Sequence, residues 1–291
     1  MLCVFMPELP EVETIRRDLD QKIRGKKIKD IITDNPKIFT PNFSLIKKKI
    51  KNQVVQNLKR RGKLLIFKLK NGLYVLIHLK MTGQLVYADK KKLVVGGHPI
   101  VGEKSLPNKF THATFFFSDG SVLYFNDVRK FGYIKLVDKD SLEKVLENFG
   151  MEPLSQKFTL NKFKKILAKH PKNKIKQLLM TQKDIAGLGN IYADESCFYA
   201  HIRPTRLVGT LKEEEIKKLY SSVKRVLKLS IKNRGTSFNT YVDGSGKKGN
   251  FVPLLKIYRR EGEKCKRGDG GIVKKVRIGG RSAHYCPVCQ K

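Results

Sequence analysis

Residues 6–19 read MPELPEVETIRRDL and predict the helix with which the fold begins. Apolar residues recur at helical spacing through this region, at Val12, Ile15, Leu19 and Ile23. Gly25 follows as a stop signal, and Pro10 is tolerated because it falls in the first turn, where its missing N–H has no helical partner. We therefore predict one helix over residues 8–24.

Beyond Gly25 the apolar period changes to that of short strands. Seven segments are rich in β-branched and aromatic residues and are separated by turns: IKDIITD, VVQNLKR, LLIFKLK, LYVLIHL, THATFFFS, SVLYFND and GYIKLV. Asp119-Gly120 lies between two of them and is typical of a tight hairpin turn. Residues 26–137 are therefore predicted to form an antiparallel sandwich or barrel.

From Ser141 onward the pattern is helical, and the chain is predicted to be an α+β protein with more than one domain. Helices are expected near 159–169, 174–182, 190–200 and 211–232. Thr210 and Glu213 have the spacing of a capping box at the start of the last helix. A Gly-, Ser- and Lys-rich stretch at 235–250 predicts a loop, and short strands are expected in 255–291.

The charge balance favours a polyanionic partner. The chain has 61 Lys and Arg against 26 Asp and Glu, a net charge of +35. Nucleic acid leads the list of such partners, although a Lys-rich surface could also serve solubility alone. No stretch approaches the roughly 18–20 apolar residues of a membrane span, and residues 1–5 are too short for a signal peptide. We expect an intracellular protein without membrane contact.

The first residues raise a question of chemistry, because both Met1 and Met6 could begin the chain. Removal of Met6 would leave Pro7 with a free secondary amine, and we expect this start, which makes residues 1–5 a spurious leader. An α-amino group titrates near about 8 and a lysine near about 10.4, so the terminal amine is roughly a hundredfold richer in its neutral, nucleophilic form. Attack on a sugar C1′ would give an iminium ion that serves both base loss and strand cleavage. Glu8 could act as general acid or base.

A plainer interpretation of the same acids is structural. Glu8, Glu11 and Glu13 favour the N-terminus of a helix, where the dipole stabilises negative charge. Spacing alone favours this structural interpretation over catalysis.

Seven segments together resemble one known family. In chain order, they resemble segments of the formamidopyrimidine-DNA glycosylases. They are MPELPEVETIRRDL, RRGK at 60–63, HLKMTG at 78–83, NDVRKFG at 126–132, GLGNIYADE at 187–195, GTSFNTYVDGSGKKG at 235–249 and GGRSAHYCPVCQ at 279–290. The resemblance implies a β-sandwich with a leading helix, a helix–two-turns–helix module and a zinc-finger-like β-hairpin. These parts would span residues 6–140, 141–234 and 255–291, with a lesion-recognition loop at 235–254.

The resemblance also implies an activity. The protein would be a bifunctional DNA glycosylase and AP lyase of base-excision repair that removes 8-oxoguanine and formamidopyrimidines from double-stranded DNA and nicks the strand by β,δ-elimination. It would act as a monomer in the bacterial cytoplasm, at the nucleoid. Two alternatives stay open: an endonuclease VIII-like enzyme for oxidised pyrimidines, which the PELPEVET start and the loop at 235–250 disfavour, and a non-catalytic binder of damaged DNA if Pro7 is not N-terminal.

Roles for individual residues follow from the same resemblance. Pro7 would be the nucleophile, Glu8 would protonate the opening deoxyribose, and Lys63 would approach the lesion and its phosphate. Met81 and the pair of Arg129 and Phe131 would fill the space that a flipped base leaves.

Further DNA contacts are implied downstream. Asn190 is predicted to cap a helix and to hold a backbone phosphate together with Lys176 and Tyr192. Glu195 is expected to support this turn, and Arg281, at the hairpin tip, would grip phosphate.

Three of the five cysteines, Cys265, Cys286 and Cys289, lie near the end of the chain and suggest metal ligation rather than disulfides. The family pattern expects two Cys-x-x-Cys pairs, but Gly268 stands where the first pair needs its second cysteine. Zinc sites usually have four protein ligands. The fourth could be Asp269, His284 or water, so the sequence leaves open whether zinc is bound. Cys197 falls in a helical pattern and is expected in the core.

Overall fold

The computed structural model describes residues 6–89, 93–97, 106–236 and 250–291. Most of the predicted loop at 235–250 therefore lies outside the described residues. The chain divides into two compact units, one of Met1–Glu147 with Asn233–Val252 and the other of Asn148–Lys232 with Pro253–Lys291.

The helices and strands alternate in clear blocks along the chain. The helices are α1 (Leu9–Ile23), α2 (Phe43–Ile50), α3 (Lys139–Glu147), α4 (Leu160–Ala168), α5 (Ile175–Leu179), α6 (Asn190–Tyr199) and α7 (Glu213–Lys232). The strands are β1 (Ile28–Ile32), β2 (Phe39–Thr40), β3 (Val55–Arg61), β4 (Leu64–Leu69), β5 (Tyr74–His78), β6 (Gly83–Ala88), β7 (Leu93–Gly97), β8 (Thr111–Phe117), β9 (Val122–Asp127), β10 (Tyr133–Val137), β11 (Lys274–Ile278) and β12 (Arg281–Tyr285). Among the described helices, none has the length and apolar character that crossing a membrane requires.

The first unit is built on two five-stranded sheets. Their strand orders are β1-β8-β9-β6-β7 and β2-β10-β5-β4-β3, and neighbours pair antiparallel except β2 with β10. All seven predicted segments contain strands, so the prediction of a sandwich preceded by a helix is confirmed. The apolar face of α1 belongs to the same buried cluster as the inward side chains of both sheets.

The start of α1 positions the first residues of the unit. Glu8 is the N-cap residue and forms a capping box with Glu11, while Pro10 occupies the first turn as predicted. The carboxylate of Glu11 accepts a hydrogen bond of 2.9 Å from the Glu8 N–H. The structural interpretation of these acids is therefore correct, and it leaves a catalytic role for Glu8 open.

Sequence periodicity missed the short helix α2. It has only two buried residues, Ile46 and Ile50, and a run of exposed lysines, so its apolar signal is weak. The side chain of Asn42 accepts a hydrogen bond of 2.9 Å from Leu45 N–H and begins the helix. An Asn cap of this kind was the available signal.

The second unit is helical and carries the hairpin of β11 and β12. The rings of Phe158, Phe163 and Tyr220 pack with centroids 5.5–5.9 Å apart and join α4 to α7. Gly279 and Gly280 form the hairpin turn with φ of 54° and 78°, values that the tight β-turn requires and glycine adopts without strain.

Two predicted helix caps are wrong. Asn190 is the first residue of α6, and Gly189 is its N-cap. Thr210 ends a 3₁₀ turn and donates to Leu207 O at 2.8 Å, so it does not cap α7. The neighbouring Gly209 N–H donates to Pro171 O and so connects this turn to an earlier loop. The helix α7 begins after the turn, at Glu213.

Candidate active site and nucleic-acid interface

Three predicted DNA-contacting side chains lie together on the surface of the first unit. The guanidinium of Arg129 lies 3.1 Å from Met81 Sδ and 4.6 Å from the ring centroid of Phe131. Phe131 is 52% exposed, which is unusual for an aromatic side chain of this size. We call Met81, Arg129 and Phe131 the wedge cluster. A planar cation on an aromatic ring offers a surface on which a nucleobase can stack.

A buried carboxylate holds the two loops that carry the wedge cluster. Asp127 is fully buried, and its side chain accepts hydrogen bonds from the Thr82 hydroxyl, from Arg129 N–H at 3.1 Å and from Gly132 N–H at 2.7 Å. A Cβ on Gly132 would lie 2.6 Å from the ring of Phe125, so this approach requires glycine. The sequence analysis did not identify Asp127 as a site residue, although an acid at the end of a strand was a possible signal.

The residues around Pro7 are enclosed. Pro7 is buried and Glu8 is 3% exposed. The Glu11 carboxylate accepts hydrogen bonds from the backbone N–H of Thr236 at 2.8 Å and from its hydroxyl at 2.9 Å. These bonds join the start of α1 to the residue that precedes the stretch 237–249, which lies outside the described residues.

Lys63 lies in the turn between β3 and β4 and is 4% exposed. Arg60 connects this turn to α1, because it donates to Gly62 O at 2.7 Å and to the Glu13 carboxylate at 3.1 Å. Burial by itself raises the pKa of Glu13, but the hydrogen bonds and charges of the surrounding arginines outweigh it and lower that pKa to about 2. Glu13 is therefore ionised, and it holds the Arg60 guanidinium that connects the turn between β3 and β4 to α1.

His78 is a candidate that sequence reasoning passed over, although it begins the HLKMTG segment. Its Nδ1 accepts a hydrogen bond of 2.9 Å from Lys80 N–H, and its ring packs beside Tyr133. Burial, then the positive charges of Lys80 and Lys63, lower the pKa of His78 to about 3. The ring is neutral at physiological pH, and its proton is on Nε2, from which it can donate to an oxygen.

The start of α6 in the second unit carries an unsatisfied polar atom. Asn190 Nδ2 donates to the Tyr258 hydroxyl at 3.2 Å, while its Oδ1 is buried without a partner among the residues that the structure describes. With the amide reversed, Tyr258 would donate to Oδ1 and the NH₂ group would occupy the unpaired position. An amide donor at a helix N-terminus suits an anion.

Glu195 supports the segment that carries Tyr258. This fully buried carboxylate accepts hydrogen bonds from the backbone N–H groups of Lys256, Ile257 and Tyr258 at 2.9–3.1 Å. Burial raises the pKa of Glu195 above its ordinary value. The side chain has a structural role, although its hydrogen bonds hold residues 256–258, whereas the sequence predicted support of the turn before α6. Tyr258 itself gave no signal in the sequence.

Four side chains near the end of the chain form a group with the geometry of a metal site. The ligand atoms of Cys265, Asp269, Cys286 and Cys289 all lie within 4.8 Å of one another. The Asp269 carboxylate accepts a hydrogen bond of 2.9 Å from Gly271 N–H, which orients it. A hydrogen bond from Cys289, followed by the one from Gly271, lowers the pKa of Asp269 to about 2. Three thiols and a carboxylate form a donor set that suits tetrahedral Zn²⁺.

Comparison with known proteins agrees with these geometries. The family model of the formamidopyrimidine-DNA glycosylase N-terminal domain matches residues 6–134, and that of the H2TH domain of the same enzymes matches residues 149–242. The formamidopyrimidine-DNA glycosylase of Pelotomaculum thermopropionicum is 43% identical over 98% of this chain and 99% of its own. That of Heliobacterium modesticaldum is 40% identical over 98% and 100%. The chain belongs to the formamidopyrimidine-DNA glycosylase family.

Solved structures of the family have the same fold. A complex of the Lactococcus lactis Fpg with DNA containing an abasic site has a TM-score of 0.86 and 35% identity, over 98% of this chain and 99% of that one. A mutant of the same enzyme with DNA containing Fapy-dG has a TM-score of 0.87 and 36% identity, over 98% and 100%. Members of this family combine glycosylase and AP lyase activity.

Two residues that the family resemblance assigned to DNA have internal positions instead. Lys176 is 1% exposed, and its ammonium donates to Asp194 Oδ1 and to Ser282 O, both at 2.6 Å. Tyr192 is fully buried, with its hydroxyl 2.6 Å from that of Ser230. Both polar groups are therefore hydrogen-bonded inside the second unit.

One proposed metal ligand is also placed elsewhere in this glycosylase. The backbone N–H of His284 donates to Asp194 Oδ2 at 2.9 Å, and its Nδ1 lies 3.0 Å from the same oxygen. Asp269 is the remaining protein candidate for a fourth ligand. Cys197 is buried in α6, as expected for a core residue.

Proposed function

We propose that this protein excises 8-oxoguanine and formamidopyrimidines from duplex DNA and then cleaves the strand at the resulting site, as a base-excision repair enzyme. The observation that carries this proposal is the exposed wedge cluster on a chain that is similar along its whole length to formamidopyrimidine-DNA glycosylases. Its relatives are bacterial, and we place its work in the bacterial cytoplasm, at the nucleoid.

The chemical step uses Pro7 as an N-terminal amine. Its nitrogen attacks C1′, the N–C1′ bond forms, and the bond from C1′ to the base breaks as the base leaves with the bonding electrons. The proton that the Pro7 nitrogen gives up neutralises the departing base. Glu8 protonates O4′ as the sugar ring opens, which gives an iminium ion. That cation makes the C2′ hydrogen acidic, and loss of this proton expels the 3′ phosphate. A second elimination expels the 5′ phosphate.

Further side chains bind the distorted duplex. The wedge cluster fills the gap that the extruded purine leaves, with the Arg129 guanidinium facing the orphaned base. Backbone phosphates are bound by the ammonium of Lys63, the neutral imidazole of His78, the amide of Asn190 and the guanidinium of Arg281. Binding should weaken steeply with salt. We propose four functional parts of the chain. They are the catalytic β-sandwich at 6–140, the helix–two-turns–helix module at 141–234, the lesion-recognition loop at 235–254 and the hairpin at 255–291.

A substrate comparison tests the reaction against the oxidised-pyrimidine alternative. Duplexes that carry 8-oxoguanine or thymine glycol at the same position are incubated with the protein under single-turnover conditions. We expect the 8-oxoguanine strand to be cleaved at least about tenfold faster, since a pocket built for one base rejects a differently shaped one by this order. Faster cleavage of the thymine glycol strand would assign the protein to the endonuclease VIII-like class.

We further propose that Cys265, Asp269, Cys286 and Cys289 hold one structural zinc ion. Their placement within 4.8 Å and the oriented carboxylate support it. The ion would fix the base of the hairpin that carries Arg281 and would take no part in the chemical step. Asp269 would stand where a Cys-x-x-Cys pair would supply a thiolate.

Metal analysis tests this assignment. We expect about one zinc per chain in purified protein, and loss of most of it in Asp269→Ala and Cys289→Ser, because a structural site with three protein ligands holds zinc less firmly. The matched control is Cys197→Ser, which removes a buried thiol outside the cluster and should retain the metal. Undiminished zinc in Asp269→Ala would show that water or another group completes the site.

A further inference from the structure

We propose that His112 is a positioning residue for the wedge cluster, and that it acts as a buried imidazolium. The inference rests on the proposed function, because it concerns how base extrusion is supported. His112 lies on β8, and its ring is 1% exposed. Neither the sequence patterns nor the family motifs singled it out.

Strand register sets the direction of this side chain. Thr111 pairs with Asn126 and Ala113 pairs with Phe125, so His112 is an extra residue on β8 without its own partner in β9. A bulge of this kind changes the direction in which a side chain points, and such bulges are frequent beside active sites. Here the bulge directs the imidazole toward the end of β9. We call the residues that follow β9, 128–132, the wedge loop, because they carry Arg129 and Phe131.

Both ring nitrogens of His112 face oxygen acceptors. Nδ1 lies 2.9 Å from the carboxylate of Asp34, and Nε2 lies 3.0 Å from the backbone carbonyl of Asp127. A neutral imidazole carries one N–H, so one of the two contacts would set a nitrogen lone pair against an oxygen lone pair. Only the doubly protonated ring donates in both directions. We therefore infer a positive charge on His112.

The partner of Nε2 is the residue that organises the wedge loop. The Asp127 carbonyl also accepts from Lys130 N–H at 3.3 Å, and its N–H donates to Phe110 O. Its carboxylate holds Arg129 and Gly132, as described above. The backbone and side chain of Asp127 thus fix the wedge loop, and His112 in turn fixes the backbone of Asp127.

The other side of the wedge loop offers little support. An open cleft of about 630 Å³ separates it from the segment that follows β1, and its lining includes Asp34, Lys37, Lys130 and Phe131. Because this cleft is open, we infer that the charged bridge from Asp34 through His112 to Asp127 adds to the contacts that hold the loop on its inner side.

The protonation state is tested directly by nitrogen-15 spectroscopy of protein with labelled histidines. We expect both ring nitrogens of His112 to carry protons at neutral pH. The comparison is the ring of His170, in which one nitrogen has Asp184 as its partner among the described residues. A spectrum with one protonated nitrogen on His112 at neutral pH would overturn the inference.

The positioning role is tested by separating base extrusion from strand cleavage. In His112→Gln we expect excision of 8-oxoguanine from a duplex to slow on the order of 10- to 100-fold, because a displaced wedge supports extrusion poorly. Cleavage at a preformed abasic site, which contains no base to extrude, should change less than about twofold. Asp34→Asn should give a smaller loss of the same kind without disturbing the core, since Asp34 is exposed.

His170→Gln is the matched control, because it removes a histidine–aspartate pair in the second unit, and both activities should stay at the wild-type level. Equal slowing of both reactions in His112→Gln and Asp34→Asn, or no slowing of either, would overturn the positioning role. Abasic-site cleavage by the wild-type protein checks the proposed function separately, so failure of that function would appear before any variant is compared.

Discussion

Protein whose chain begins at Pro7 is expected to become covalently linked to duplex DNA containing 8-oxoguanine when borohydride is added, and protein that retains residues 1–6 is expected to form almost none of this product. In the longer chain the Pro7 nitrogen belongs to a peptide bond, and its lone pair is delocalised into the carbonyl of Met6. It cannot attack a sugar carbon. Only reduction of the iminium ion by borohydride leaves protein and DNA stably linked, so the amount of linked product reports this intermediate.

The size of the effect follows from amine chemistry. If a lysine such as Lys63 replaced the terminal amine, it would offer roughly a hundredfold less neutral amine at neutral pH, so residual linking should be about 1% or less. Pro7→Gly in the shorter chain is the second comparison, since it keeps a terminal amine but replaces the secondary amine by a primary one, and it should largely lose base excision. Substantial linking by both chain lengths would indicate a lysine-dependent enzyme, and no linking by either would leave a damaged-DNA binder as the better description.

Asp194→Asn is expected to destabilise the protein by about 3–5 kcal/mol, the usual cost of removing one partner from a buried ion pair. Asp194 is fully buried and receives the Lys176 ammonium on one oxygen and two nitrogens of His284 on the other. The amide would leave a lysine charge, itself 1% exposed, without its counterion. Urea unfolding followed by far-ultraviolet circular dichroism measures this, because the chain has no tryptophan to report by fluorescence.

Two further variants give this measurement its controls. Glu214→Gln breaks an exposed pair with Lys217 on α7 and should leave the unfolding midpoint unchanged. Lys176→Met combined with Asp194→Asn should be less destabilised than the sum of the two single changes, with a coupling of roughly 1–3 kcal/mol. An Asp194→Asn protein with wild-type stability would mean that the Lys176 ammonium reaches water or another acceptor.

Elements with a local signal were predictable. The helix α1 and the seven sheet segments each have an apolar period or a turn residue within their own length, so the sandwich followed from the sequence. The family resemblance pointed to the three residues of the wedge cluster, and the structure places their side chains together. The cysteine grouping was visible because spacing along the chain already suggested a metal site.

Positions that depend on a distant partner were not predictable. Lys176 and Tyr192 resemble DNA-binding residues in a basic protein, yet Asp194 and Ser230 satisfy them inside the second unit. The position of His284 depends on a distant partner in the same way, since the acid that engages its ring lies 90 positions earlier in the chain.

Periodicity along the chain thus specified which segments are helices and strands, because each segment must bury its own apolar face. Which polar side chains face solvent, metal or DNA depended on packing. Desolvating an unpaired polar group is costly, so the partners that folding brings close determine where each one lies. The charge on His112 shows this most clearly, because it depends on two acceptors 78 and 15 positions away.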